Sequence, residues 1–243
     1  MKINGLRWWI IFLVCIATII NYIDRSALGI MWPAMSEDLG LTKEDYAWII
    51  NIFTITYAAG KFISGKIYDK VGTKIGFVLS IFFWSLASVL HFFAKGAASL
   101  GIFRGLLGVS EAGNWPGAVK NNAEWFPVKE RGLAQGIFNS GAAIGSIVAA
   151  PLVSQLFEAY DWRWTFVIIG VLGFLWIIPW LIFNKTKPNN HPWITEEERK
   201  YILEDNSQDL ITNEDTKSLS VIEILSIKEA WGAISARFFI EPI

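Results

Sequence analysis

Five side chains that carry full charges lie inside stretches otherwise apolar enough to cross a membrane: Asp24, Arg25, Lys61, Arg104 and Glu111. A charged residue at the centre of a membrane helix costs about 2.5–3.5 kcal/mol on insertion scales, so five facing lipid would cost on the order of 10 kcal/mol. They must face the bundle interior or water, and they must pair. Helix-fixing ion pairs and snorkelling ends are the plainer explanation. A shared wet pocket is the functional one. At 1.5 Å of rise per residue, Arg25 lies about 25 Å along the first span and Arg104 about 21 Å from the same membrane face. Tyr57, about 16 Å into the second span, falls near midplane. Two guanidiniums and a phenol at comparable depth suit a carboxylate, which the planar arginine fork binds bidentately.

Glu111 follows Arg104 by seven residues, two turns on, so the two share a stripe about 10 Å apart. That separation suits a proton site below an anion site, because a carboxylate in a low dielectric can alternate between neutral and charged forms. Asp24, pointing about 100° away from Arg25 on its helix, is a second proton candidate. Lys61 lies one turn after Tyr57 and either joins that face or snorkels to the surface. Asn139, near midplane of the fifth span, either binds a substrate hydroxyl or bonds a neighbouring helix. His91 ends the third span and His191 lies in a polar loop, so neither has a metal-site setting and no metal is expected. No nucleophile–base pairing suggests an enzyme. The single cysteine, Cys15, lies in an apolar run and excludes an intrachain disulfide.

The elements that must hold these groups are helices of about 20 apolar residues. Of 243 residues, 53% are hydrophobic and only 18% charged, a bias that excludes an ordinary soluble domain. Six spans are predicted: Trp8–Met31, Tyr46–Gly65, Ile75–Ala94, Ala98–Val119, Gly132–Phe157 and Trp164–Phe183. The first follows Lys2 and Arg7 but lacks a small-residue cleavage pattern, and reads as a retained span rather than a signal peptide. Ten Lys and Arg flank one membrane side and three the other, which predicts both ends of this chain in the cytoplasm. Trp8, Trp9, Trp48, Trp162 and Trp164 sit where interfacial aromatics gather. Gly132, Gly136, Gly141, Gly145 and Ala149 on the fifth span permit close helix packing.

The bundle is expected over residues 1–183, an inter-bundle cytoplasmic loop over 184–230, and the start of a seventh span over 231–243. Within the loop, Thr195-Glu196-Glu197-Glu198 predicts a capping box opening a helix to about Leu203, with its charges on a solvated face. A net charge of −1 gives no basic field for nucleic acid.

Between the second and third spans stands Gly65-x-x-x-Asp69-Lys70-x-Gly72-x-Lys74. Its glycines permit a tight turn, and Asp69 can accept from exposed helix N–H groups. This pattern resembles the signature loop of the major facilitator superfamily. Asn21-Tyr22-x-Asp24-Arg25, Arg104-Gly105-x-x-Gly108-x-x-Glu111-Ala112 and Glu124-Trp125-Phe126-Pro127-x-x-Glu130-Arg131-Gly132 are similar to motifs of its anion:cation symporter branch. That branch includes hexuronate and other sugar-acid transporters and relatives of sialin and the vesicular glutamate carriers. The resemblance covers nearly the whole chain.

It implies an all-α polytopic membrane protein of the plasma (inner) membrane, built as the N-terminal six-helix bundle of a major facilitator fold, with the C-terminal bundle absent. It implies alternating access between two such halves, with membrane lipid, a small organic anion and the missing half as partners. Arg25, Tyr57 and Arg104 would contact the anion, with Lys61 and Asn139 as further substrate candidates. Asp24 and Glu111 would couple protons, and Gly65, Asp69, Lys70, Gly72 and Arg131 would form the gating loop. No cofactor is implied beyond the proton as coupling ion. The polar stretch Asn184–Trp193 with Thr195–Arg199 most resembles hexuronate carriers, so galacturonate or glucuronate is the expected substrate, with another sugar acid or carboxylate as alternative. Lys61 departs from the wider family. A non-transporting membrane component, binding only a partner, is the competing reading.

Overall fold

The computed structural model describes residues 2–212, 226–228, 231–232 and 235. Its elements are helices: α1 (Leu6–Leu39), α2 (Lys43–Leu90), α3 (Ala97–Glu111), α4 (Asn114–Trp125), α5 (Val128–Tyr160), α6 (Trp162–Phe183) and α7 (Glu196–Thr212). They divide into two units, Met1–Leu203 and Glu204–Ile243. The first therefore takes in part of the stretch assigned to the loop by sequence. Most of the expected seventh span, 231–243, lies outside the described residues.

Six membrane crossings fit these helices because three of the crossings are not single elements. The second and third are the arms of α2, residues 43–71 and 73–90, which meet at Gly72. Gly72 has φ 79° and ψ 169°, a backbone state L side chains avoid, so the chain turns here. Gly65 lies inside the helical first arm and takes no part in the turn, contrary to the expectation of a glycine pair. The fourth crossing is broken between α3 and α4. Pro116 lacks the N–H that would bond the Ala112 carbonyl, and its ring crowds that carbonyl, so the helix loosens one residue after Glu111. α2 opens on a capping box: Asp45 N–H donates to Thr42 Oγ1 at 3.2 Å, and Thr42 N–H to Asp45 Oδ2 at 2.8 Å.

α1 packs chiefly against α5, and α2 against α3 and α6. The α1–α5 contact is close because two positions carry no side chain. A Cβ on Gly141 would lie 2.7 Å from the Cys15 carbonyl, and one on Gly145 2.7 Å from the Ile19 carbonyl. Gly132 and Gly136 face open space, so only part of the glycine series serves packing. One apolar cluster gathers around Phe77, Trp84, Trp125, Trp176 and Trp180 near the N-terminal end of the bundle, and another around Met31, Met35, Leu100 and Phe166 towards the far end. Trp9, Trp48 and Trp164 are exposed, as interfacial anchors should be, whereas Trp162 is buried and donates to Asp38 Oδ2 at 3.1 Å.

At the N-terminal end the loop after α6 folds back on the bundle. Ile3 N–H donates to the Trp193 carbonyl at 2.7 Å, within a parallel bridge of Ile3 with Ile194. The expected capping box forms only in part. Glu198 N–H donates to Thr195 Oγ1 at 3.3 Å, but the Glu198 carboxylate accepts from the N–H groups of Leu6 and Arg7 at 3.1 and 3.2 Å. It thus caps α1 rather than its own helix. Glu196 and Glu197 are solvated as expected; Glu198 is buried.

Candidate functional site

Three helices deliver the intramembrane charges to one place. α1 supplies Asp24 and Arg25 as consecutive residues, so they diverge around the helix. Arg25 Nε donates to Glu111 Oε2 on α3 at 2.8 Å, joining helices 86 positions apart in sequence. The Arg25 guanidinium also lies 4.3 Å from the ring centroid of Tyr57 on the first arm of α2, with Phe53 and Tyr22 at 5.6 and 5.3 Å. An arginine walled by three aromatic faces and held by a carboxylate is well anchored while part of its guanidinium stays open to a ligand.

Arg104, three turns before Pro116, is 2% exposed, and its Nε and Nη2 meet no protein acceptor. Its guanidinium lies 5.6 Å from the Phe166 ring of α6. Asp24 is 1% exposed; its Oδ1 accepts from Ser88 Oγ at 3.2 Å while Oδ2 has no protein partner. Glu111 Oε1, Arg25 Nη2 and both amide atoms of Asn21 are likewise unpartnered. Asp24, Glu111, Arg25 and Arg104 act on one another electrostatically, so the four form one charge cluster. Buried polar atoms are nearly always satisfied, and a concentration of open donors and acceptors around two arginines is suited to taking a polar anion.

Lys61 Nζ stands 4.9 Å from the Tyr57 ring while the residue remains exposed. It therefore shares the Tyr57 face and reaches solvent as well. Asn139 is exposed on α5, with Gln135 Nε2 donating to its Oδ1 at 3.3 Å.

The Gly72 turn has its own polar network. Lys120 Nζ donates to Asp69 Oδ1 at 2.6 Å and to the Tyr68 carbonyl at 3.0 Å. Asp69 thus accepts from a lysine of α4, where the sequence suggested helix N–H groups. Lys70 is exposed beside it. Arg131 Nε donates to the Phe126 carbonyl at 3.3 Å, and the Arg131 carbonyl accepts from Asn122 Nδ2 at 2.9 Å, which ties α4 to α5.

Sequence reasoning missed several groups. Ser88 reaches Asp24 from the second arm of α2, and Asn21 faces the cluster from α1; neither carries a charge to mark it. Arg7 joins α1 to α5 through Glu130 at 2.9 Å and to the first turn of α7 through Glu198 at 2.8 Å. An apolar groove of about 340 Å³ between the arms of α2 and α3, lined by Ile63, Phe83, Leu86 and Leu106, contains none of the charged groups.

The family model of the major facilitator superfamily matches residues 14–240. The chain belongs to that superfamily. A hexuronate transporter of Escherichia coli K12 is 36% identical over 242 residues, covering 99% of this chain and 55% of the relative. A galacturonate transporter of Dickeya chrysanthemi is 36% identical over 242 residues, covering 99% and 69%. A probable galactarate/D-glucarate transporter of Bacillus subtilis is 36% identical over 225 residues, covering 89% and 48%. Each of these is named a transporter and none an enzyme. Among solved structures, a bacterial homologue of the human lysosomal transporter Spinster, inward-facing and unoccupied, superposes with a TM-score of 0.68 at 20% identity, over 96% of this chain and 50% of that one. The likeness fixes the major facilitator fold, and with α1, α2, α5 and α6 apolar and long enough to span, the chain is a multi-pass membrane protein. It spans about half the length of most of the curated relatives it matches.

Proposed function

We propose that this chain forms the anion-binding half of a proton-coupled symporter for sugar acids, with hexuronates such as galacturonate or glucuronate as substrates. The observation that carries the reading is the meeting of half-buried Arg25 and Tyr57 with buried Arg104, Asp24 and Glu111, from α1, α2 and α3. The names of the superfamily relatives support a hexuronate over other anions.

The charge balance explains the coupling. With both carboxylates ionised, two arginines face two acids, and the cluster is neutral. A hexuronate adds one negative charge in a site where unbalanced charge is costly. Protonation of one acid restores neutrality as the anion binds. Glu111 is suited to that role because its carboxylate already occupies Arg25. Once neutral, it no longer competes with a substrate carboxylate for the guanidinium. Lys61, exposed beside Tyr57, is screened by solvent and adds only a guiding charge near the entrance. On this reading a second six-helix half completes the cavity, and the excess of Lys and Arg near the N-terminal end of the bundle supports a cytoplasmic position for that end.

The test is uptake of labelled galacturonate by cells expressing the gene. Uptake rises with an inward proton gradient and collapses with a protonophore. Arg104→Gln abolishes it while leaving the protein in the membrane. Uptake indifferent to the gradient would reject symport, and full uptake by Arg104→Gln would reject the anion site.

A further inference from the structure

His91 is a buried titratable group that the charge cluster does not use. It opens the short 3-10 turn His91–Phe93 after the second arm of α2 and is 0% exposed. Its Nδ1 lies 2.8 Å from the Ala87 carbonyl. A carbonyl only accepts, so Nδ1 carries the proton, and in the uncharged ring Nε2 presents a lone pair and no hydrogen. Were this an ordinary satisfied core histidine, Nε2 would have a donor; it has no protein partner. The imidazole stacks on Phe166 with centroids 4.5 Å apart, and the Arg104 guanidinium lies over the same ring. Phe103, the residue before Arg104, also meets the imidazole, at 5.9 Å. One turn before His91, Ser88 Oγ reaches both Asp24 Oδ1 and the Phe166 carbonyl, at 3.2 and 3.1 Å, with one proton to give.

Arg104 therefore has two acceptors with open lone pairs in its surroundings, Asp24 Oδ2 on α1 and His91 Nε2 on the turn after α2, while its own Nε and Nη2 remain unengaged. We propose that His91 is a positioning residue for Arg104: its Nε2, directly or through one water, holds one edge of the guanidinium and aims the other at the substrate carboxylate. The ring acts uncharged, since a cation beside Arg104 would repel it. Because the Ala87 bond fixes the tautomer, the acceptor stays in place through the transport cycle.

The proposal rests on the reading of Arg104 as an anion contact. The experiment compares KM and maximal rate of galacturonate uptake, normalised to protein in the membrane, for four variants in cells expressing the gene. His91→Phe keeps the ring on Phe166 and deletes the acceptor; His91→Asn keeps a group at the Ala87 end but does not reach the Nε2 position. Both raise KM about tenfold with a smaller change in maximal rate, the scale of losing a hydrogen bond to a charged group. His91→Gln, whose amide oxygen reaches the Nε2 position, restores KM to within about threefold on the same scale. An unchanged KM in His91→Phe and His91→Asn overturns the proposal, as does equal impairment of all three. Arg104→Gln separates the two claims. If it transports normally, the anion-site reading itself fails; if it is inactive while His91→Phe is normal, only the role of His91 fails.

Discussion

Replacing Glu111 by Gln tests the coupling at its centre. The fully buried carboxylate accepts from Arg25 Nε at 2.8 Å, and the Arg25 side chain is 21% exposed. Breaking a buried ion pair outright costs about 3–5 kcal/mol. Here the amide oxygen still accepts from the charged guanidinium, which water also reaches, so about 1–2 kcal/mol of stability is lost and the protein still folds. The larger effect falls on binding. In the parent, galacturonate binds with a proton, so its apparent Kd rises about tenfold, or 1.4 kcal/mol, for each pH unit above the pKa of the coupled acids. The neutral amide of Glu111→Gln mimics the protonated state permanently. Between pH 6 and 8 the variant binds with a nearly constant Kd, exchanges labelled for unlabelled substrate across the membrane, and no longer accumulates it against a gradient. Accumulation driven by pH in Glu111→Gln would remove the coupled proton from Glu111, and so would a Kd that keeps its parental pH slope.

Further predictions concern the scaffold. Gly145→Val places a Cβ 2.7 Å from the Ile19 carbonyl and 2.8 Å from the Tyr22 Cβ; overpacking costs about 1–3 kcal/mol and should cut the yield of folded protein in size-exclusion profiles, whereas Gly136→Ala, facing open space, should not. Glu198→Gln removes the charged cap on Leu6 and Arg7 and one partner of Arg7, so the thermal midpoint falls by the equivalent of about 2 kcal/mol, against no resolvable change for the exposed Glu197→Gln. His191 accepts from Trp193 N–H at its Nδ1 and donates from Nε2 to the Phe183 carbonyl. Burial first, then the charges of Lys185, Arg199 and Lys74, hold its pKa below the ordinary value. Its contribution is thus complete above about pH 6.5 and is lost as the pH falls below it; hydrogen exchange over residues 191–203, corrected for intrinsic rates, should quicken on acidification in the parent and not in His191→Asn.

The charges were legible because lipid makes them conspicuous: Asp24, Arg25, Arg104 and Glu111 stand out in apolar runs, and the cost of exposing them forces convergence. Depth counting put Arg25 and Tyr57 at similar levels, and they are in contact. Spacing along one helix says nothing of which faces of two helices meet, so the Arg25–Glu111 pair was hidden behind the Arg104–Glu111 stripe. The break after Glu111 went unread, because the apolar length of the span Ala98–Val119 outweighs the single Pro116. Ser88 and His91 were illegible because neutral polar residues are common in helices and only their neighbours reveal a task. Glu198 matched a local capping pattern, but a tertiary partner, the open N-terminus of α1, took its carboxylate instead.

The central claim is that one proton enters the Arg25–Glu111–Asp24–Arg104 cluster with each anion. Calorimetric titration of galacturonate into the purified gene product, at one pH in two buffers of different ionisation enthalpy, measures it directly. The heats should differ by the uptake of about one proton per anion bound, the number that keeps the buried cluster neutral. Identical heats in the two buffers, with binding intact, would contradict it.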